Sequence, residues 1–132
     1  KLTNFSRALM LKEGEAEVPC AGHSDPSGAT RSLALRDADA YTAPEMVQGT
    51  HVGPSADVFS FGGVALFVLT AEDPPAVPAT ATARAAVLAE ADLAPLGSLA
   101  AAWPMAGACL AEEPPRRPDL LAVHRDLQPA AA

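Results

Sequence analysis

The feature that most constrains this chain is a run of 12 residues, Val58–Leu69, with large apolar side chains on every face of a helix. These side chains are Val58, Phe59, Phe61, Val64, Leu66, Phe67, Val68 and Leu69. A helix that is apolar all round has to be buried all round, so we predict a central buried helix over 57–70. Asp57 is expected to cap its start, and the prolines that follow Asp73 are expected to end it. The run is too short to cross a bilayer, which needs about 20 residues.

The rest of the chain predicts a mainly α fold with few strands. Residues 1–11 favour a short strand and turn, and residues 12–40 form a long polar loop broken by glycine and proline. Pro44 is expected to open a short helix. Alanine has the best helix propensity, so the alanine-rich stretch 79–94 predicts another. Two further helices are expected at 98–110 and 119–127, with no clear strand after the first few residues.

Composition excludes several kinds of partner and compartment. The net charge is −7 and the chain has only nine lysines and arginines. No basic cluster could neutralise phosphates, so we expect neither nucleic acid nor membrane as a partner. Two cysteines cannot form a disulfide framework, and no secretory signal opens the chain, so a cytoplasmic location is the default expectation.

Four sequence motifs follow one another along the chain. Residues 1–6 read Lys-Leu-Thr-Asn-Phe-Ser, 41–45 Tyr-Thr-Ala-Pro-Glu, 57–62 Asp-Val-Phe-Ser-Phe-Gly, and 109–118 Cys-Leu-Ala-Glu-Glu-Pro-Pro-Arg-Arg-Pro. In this order they resemble the C-terminal lobe of a protein kinase, closest to the tyrosine-kinase-like group of serine/threonine kinases. They would be a degraded Asp-Phe-Gly, the Ala-Pro-Glu that closes the activation segment, the start of the central helix, and the Arg-Pro signature near the domain's end.

The resemblance implies a particular domain organisation. A partial kinase-like domain would span 1–127, with the activation segment at 4–45, the central helix at 57–70 and peripheral helices over 79–127; an alanine-rich tail, 128–132, would follow. The implied fold is the C-terminal helical lobe of the protein-kinase-like fold, with the N-terminal lobe absent. A kinase domain is about twice this size, so a fragment is expected. Its expected partners are the missing N-terminal lobe and other proteins, as binding partners or substrates.

The same resemblance assigns roles to individual residues. Tyr41 and Thr42 would contact the substrate. The structural positions would be Phe5, Ala43, Pro44, Glu45, Asp57, Gly62 and Arg117. Glu45 and Arg117 would form a buried ion pair, for which arginine is suited because its planar fork meets a carboxylate at two points. Asp57 would also brace the backbone of the catalytic loop. The alternative is that Glu45 and Arg117 are unrelated surface charges.

Catalytic residues are not expected in this chain. Kinases need a Gly-rich loop, a strand lysine, a catalytic aspartate and an asparagine, all of which precede the Asp-Phe-Gly position. In this register they would lie before Lys1. The string His124-Arg125-Asp126 resembles a catalytic loop, but it follows the other motifs and no asparagine comes after it. No cofactor is therefore expected for this chain, whereas ATP and Mg²⁺ would serve the parent domain if it is active.

Three departures from the kinase pattern indicate a pseudokinase with an interaction or scaffold role. Asn4 replaces the aspartate at the magnesium site and brings no negative charge. Ser6 replaces a glycine whose conformational freedom lets the segment turn, and the pair at 37–38 replaces the usual Gly-Thr. One alternative is part of an active serine/threonine kinase, which transfers the ATP γ-phosphate to protein hydroxyls and tolerates Asn4. Another is an alanine-rich helical binding module unrelated to kinases.

The long polar loop offers candidate modification and metal sites. Ser24, Ser27, Thr30 and Ser32 are candidate phosphorylation sites, with Arg31 and Arg36 nearby to pair with an added phosphate. The competing interpretation is a solvated loop that is simply rich in hydroxyls. Four potential zinc ligands are Cys20, His23, His51 and Cys109, but their spacing matches no compact zinc module. The degenerate magnesium position, Asn4, is the one metal position assigned.

Overall fold

The computed structural model describes residues 10–19, 40–48, 51–74, 86, 88–90, 92 and 94–128. This part of the chain is mainly helical, as the sequence predicts. Its α-helices are α1 (Pro44–Gln48), α2 (Pro54–Thr70), α3 (Trp103–Cys109) and α4 (Leu120–Asp126). Short 3-10 segments lie at Ala94–Ala102 and Pro114–Arg116, and two strands, β1 (Val18–Pro19) and β2 (His51–Val52), form an antiparallel pair.

The central helix begins three residues earlier than predicted. α2 starts at Pro54, whose fixed φ suits the first helical position, and Gly53 is the N-cap. Asp57 is exposed in the first turn and makes no capping bond, so the prediction that it caps the helix is wrong. Its charge still lies where the helix dipole favours an anion. The C-terminal end at Thr70 is as predicted.

The expected burial of α2 holds for one side only. One face is buried: Ala56, Val58, Phe59, Gly62, Gly63, Leu66 and Leu69. On the other side, Val64 is 50% exposed, Phe67 44% and Val68 68%. The sequence of α2 requires a neighbour on both sides, and the described residues supply a neighbour on one.

The buried face of α2 packs against α3 at very short range. A Cβ atom built on Gly62 would lie 2.7 Å from Cys109 Cβ and 3.0 Å from Leu110 Cγ. Glycine is therefore required here for the two helices to approach. The main core cluster formed around this contact contains Ala43, Val52, Ala56, Phe59, Leu66, Leu69, Trp103, Ala106 and Leu110.

The peripheral helices match the prediction unevenly. Residues 86 and 88–90 are helical, while the rest of the predicted helix 79–94 lies almost entirely outside the described residues. The helix predicted at 98–110 is divided into a 3-10 segment kinked at Gly97 (φ 54°, ψ −124°) and α3. The Trp103 indole N–H donates to the Leu88 carbonyl at 3.1 Å and thereby ties these helical parts together. α4 begins after Asp119, whose carboxylate accepts from the Ala122 N–H at 2.7 Å and caps the helix.

The strand pair is an element that the sequence did not predict. Val18 pairs with Val52, and Pro19 pairs with His51. The pairing also explains Gly53, where a Cβ would lie 2.5 Å from the Ala16 carbonyl oxygen. The strand predicted at 1–11 falls mostly outside the described residues, and residues 10 and 11 are not in a strand. Among the described helices, none combines the length and the hydropathy that crossing a membrane would require.

Candidate functional site

Arg117 and Glu45 form a buried ion pair between segments that are 72 residues apart. Arg117 Nη1 donates to Glu45 Oε1 at 2.6 Å, and Nη2 donates to Oε2 at 2.8 Å. The side chain of Arg117 is 0% exposed and that of Glu45 is 7% exposed. This is the two-point geometry that the planar guanidinium favours. The pairing expected from the sequence is therefore present.

Every remaining N–H of this guanidinium also has a partner. Nε donates to the Ala111 carbonyl at 2.8 Å, Nη1 to the Ser55 carbonyl at 2.9 Å, and Nη2 to the Glu112 carbonyl at 2.9 Å. Arginine has five N–H donors, and all five are used. The Phe59 ring lies beneath the charge, with its centroid 5.0 Å from Arg117 Cζ, close enough for a cation–π contact. With no donor left for a ligand, Arg117 holds together the segments that surround it.

Local structure explains why Arg117, and not its neighbour, enters the core. The 3-10 turn Pro114–Arg116 ends at Arg117, whose backbone N–H donates to the Pro114 carbonyl at 3.2 Å. Arg116 stays on the surface, where it pairs with Glu113 at 2.8 Å while its side chain is 74% exposed. Glu45 reaches the same point from the first turn of α1, which begins at Pro44 as predicted. The ion pair therefore links α1, the start of α2 and the segment before α4.

The segment before α1 also lies against α2. The Tyr41 carbonyl accepts from Ser60 Oγ at 2.7 Å, and the Tyr41 hydroxyl donates to Asp73 Oδ1 at 2.6 Å. Thr42 is half-buried and Ala43 is completely buried. The structure thus places Tyr41 against α2, and the other four predicted positions of this segment, Thr42, Ala43, Pro44 and Glu45, follow it directly in the chain.

Other predicted positions have different surroundings. Gly62 is buried where α2 meets α3, whereas Asp57 is exposed. Other predicted positions lie outside the described residues, among them Asn4, Phe5, Ser6, Ser24, Ser27, Thr30 and Ser32. The string His124-Arg125-Asp126 lies on the exposed surface of α4, and His124 Nε2 is 3.0 Å from Gln128 Nε2.

The potential zinc ligands do not converge in the part of the chain that the structure describes. His51 is exposed on β2, while Cys109 is 0% exposed in the core, with its Sγ 3.6 Å from Met105 Sδ. Burial raises the pKa of the Cys109 thiol and so disfavours the thiolate that binds metals. Cys20 and His23 lie outside the described residues. Within the described ranges, no group of three or more His, Cys, Asp or Glu residues could hold a metal ion.

Sequence reasoning missed several partners of the predicted residues. The sequence indicates Asp73 only as part of a helix stop, whereas in the structure its carboxylate accepts a hydrogen bond from the Tyr41 hydroxyl. Three backbone carbonyls complete the Arg117 site, and carbonyl positions carry no sequence signal. The Phe59 ring contact could have been suspected, because the chain has only six aromatic residues and Phe59 lies on the predicted central helix.

Comparison with known proteins gives a partial relationship. The chain is 44% identical over 50 residues to a "Probable serine/threonine-protein kinase PkwA" of Thermomonospora curvata. The match covers 38% of this chain and 7% of that relative, so the chain corresponds to a small part of it. No protein-family model matches the chain. The mainly helical structure and this match together indicate a kinase-like relationship.

Proposed function

We propose that this chain forms the C-terminal helical lobe of a protein-kinase-like domain of pseudokinase type, with an interaction or scaffold role. The observation that carries the proposal is the Glu45–Arg117 ion pair. It joins the segment that resembles the end of an activation segment to the segment that resembles the closing Arg-Pro signature. Two unrelated surface charges would not share a two-point contact inside a core.

The half-buried central helix supports the same proposal. Val64, Phe67 and Val68 of α2 expose apolar surface beside the exposed Asp57. We propose that the remainder of the kinase-like domain covers this face and that Asp57 then braces the catalytic-loop backbone. The partner that we propose for this chain is accordingly the rest of that domain, including the missing N-terminal lobe. Closing the interface would remove apolar surface from water at about 25 cal/mol per Å².

The pseudokinase assignment rests on residue chemistry. Asn4 supplies an amide where magnesium coordination in a kinase relies on a carboxylate charge. The kinase-like structural positions Glu45, Gly62 and Arg117 are retained and buried, while the position of the metal ligand has changed. Loss of catalytic chemistry with retention of the architecture suits a protein that binds partners instead of transferring phosphate.

Chemical labelling of α2 tests whether a further part of the domain covers it. The experiment uses a chain with Cys20→Ser and Cys109→Ala, into which Val68→Cys is introduced as the labelling site. We expect iodoacetamide to label this site rapidly in the 132-residue chain. Labelling should be at least ~10-fold slower when the chain is produced together with the ~150 residues encoded upstream of it, a length taken from typical domain sizes. Leu121→Cys on α4 is the matched control, because Leu121 is 78% exposed and lies on another helix.

Equal labelling rates of the Val68→Cys site in the short and long chains would contradict the proposal. A slower rate at both cysteine positions would indicate a general change in reactivity and would also count against it.

The second candidate function is an active serine/threonine protein kinase that tolerates Asn4. One observation favours it, namely that the matched relative is described as a probable kinase of this kind. The longer chain discriminates between the two candidates. Transfer of ³²P from ATP to a protein substrate, lost on mutation of the upstream catalytic aspartate, would establish the active enzyme. No transfer, together with slow labelling of the Val68→Cys site, is the result that the pseudokinase proposal predicts.

A further inference from the structure

Tyr41, the one tyrosine of the chain, contacts α2 at two points and the turn that follows α2 at a third. Its carbonyl accepts from Ser60 Oγ at 2.7 Å. Its ring lies against Gly63, where a Cβ atom would come within 2.8 Å of Tyr41 Cδ1. Its hydroxyl donates to Asp73 Oδ1 at 2.6 Å. The third contact lies beyond the end of α2 and depends on the conformation of the turn that follows the helix.

That turn has an unusual backbone. Ala71 has φ 59° and ψ 19°, and it is the one non-glycine residue with positive φ among the described residues. An L-residue pays a steric cost in this left-handed region, which glycine avoids. The conformation is fixed by its surroundings, because the Ala71 N–H donates to the Phe67 carbonyl at 2.7 Å. Thr70 Oγ1 also accepts from the Glu72 N–H at 3.1 Å.

Pro74 completes the arrangement around the tyrosine. It is buried, and its Cγ would lie 3.5 Å from a Cβ atom on Gly63, the same position that the Tyr41 ring contacts. The turn therefore approaches α2 beside the Tyr41 ring and presents Asp73 to the hydroxyl. Backbone strain of this kind persists only where the surrounding contacts impose it.

We propose that the turn 71–74 and Tyr41 form a releasable latch that sets the position of the segment leading into α1. The segment has two anchors. At one end Glu45 is fixed by the buried Arg117 contact, and at the other end Tyr41 is held by an exposed hydrogen bond to Asp73. The exposed bond is weaker than the buried ion pair, so we expect it to break first and to loosen the Tyr41 end while the Glu45 end stays in place. The proposal rests on the proposed function only in assigning Thr42, between the anchors, to the face that contacts a protein partner or substrate.

Amide hydrogen exchange on the 132-residue chain, without nucleotide, tests the latch. Tyr41→Phe and Asp73→Ala should each speed exchange of the Met46 and Val47 amides, which bond to the Ala43 carbonyl, by ~3–10-fold. The Leu110 amide, in the core beside α3, should be unchanged. The exchange rates in the double variant should equal those in either single variant, because both substitutions remove the same hydrogen bond. The ¹³Cζ resonance of labelled Tyr41 should shift in the Asp73→Ala chain.

Two further variants separate the latch from a general effect on folding. Asp73→Asn keeps an oxygen acceptor and should restore most of the protection. Glu72→Ala removes a neighbouring exposed carboxylate that makes no side-chain contact to Tyr41, and should leave exchange at Met46 unchanged. Additive effects of Tyr41→Phe and Asp73→Ala, or equal acceleration at Leu110, would overturn the latch. Because no nucleotide or partner is present, neither result bears on the labelling of α2 that tests the proposed function.

Discussion

Replacing Arg117 with alanine should remove a large share of the folding stability. The substitution leaves the Glu45 carboxylate buried without its partner and leaves the carbonyls of Ser55, Ala111 and Glu112 without their Arg117 N–H bonds. Breaking a buried ion pair by removing one partner costs about 3–5 kcal/mol. A typical domain has only about 5–15 kcal/mol of stability. At this chain length the melting temperature should fall by about 10–20 °C.

The neighbouring arginine provides a matched control. Arg116 makes a surface pair with Glu113, and both side chains are largely exposed. Such pairs contribute about 0–1 kcal/mol, so Arg116→Ala should lower stability by no more than that. The assay is urea unfolding of both variants followed by the fluorescence of Trp103, the chain's one tryptophan, which is 7% exposed in the folded state.

Conservative changes at Arg117 sharpen the same prediction. Arg117→Lys keeps the charge but loses the fork, so it should still cost several kcal/mol, on the order of the alanine variant. The losses of unfolding free energy in Glu45→Ala and Arg117→Ala should not add in the double variant, and the coupling energy should be about 0.5–3 kcal/mol. If Arg117→Ala proved no more costly than Arg116→Ala, the proposed role of the ion pair would be refuted.

Four other positions provide contrasting pairs, and a fifth provides a pH test. Gly62→Ala should lower the free energy of unfolding by about 1–3 kcal/mol, because a Cβ atom has no space there. Gly107→Ala, where the nearest atom to a Cβ is 3.5 Å away, should raise it by about 0.5–1 kcal/mol by stabilising α3. Urea unfolding measures both changes. Asp119→Ala should lower the melting temperature, because it removes a helix cap that contributes about 1 kcal/mol. Asp57→Ala should lower the free energy of unfolding by at most about 1 kcal/mol, because Asp57 makes no capping bond. Burial raises the pKa of the Cys109 thiol, so the folded state binds its proton more tightly than the unfolded state. The resulting stability is complete below the unfolded thiol pKa of about 8.5 and is lost as pH rises through the folded pKa. In a chain whose other cysteine is replaced by serine, Cys109→Ala should flatten this alkaline decline.

Local chemistry and spacing predicted part of the structure. The C-terminal end of α2, the Pro44 start of α1 and the helix that follows Asp119 all have explicit residue signals. The Glu45–Arg117 ion pair could be predicted only through the resemblance to kinases, because no periodicity links residues 72 positions apart. Its three carbonyl acceptors depend on backbone paths that only the folded chain defines.

The missed features have physical causes. Both Asp57 and Pro54 can mark the start of a helix. α2 begins at Pro54 because the fixed φ of proline already suits the first helical position. Strands of two residues, such as β1 and β2, are too short to show the alternation of apolar and polar residues by which strands are recognised. The apolar pattern of α2 requires burial of the helix but does not say whether this chain supplies the neighbour. The bond between Tyr41 and Asp73 depends on the turn at Ala71, which has a positive φ. Positive φ is normally predicted from glycine, and this position is an alanine.

Thermal unfolding of the 132-residue chain with and without Mg-ATP tests whether this chain lacks a nucleotide site of its own, as we propose. A nucleotide that binds the folded state at 100 times its Kd adds about 2.7 kcal/mol of stability, enough to raise the melting temperature by several degrees. If this chain is the part of a kinase-like domain that we propose, the nucleotide site lies in another part of that domain, and we expect no shift in the melting temperature of this chain. An upward shift that grows with ATP concentration and requires Mg²⁺ would contradict the proposal.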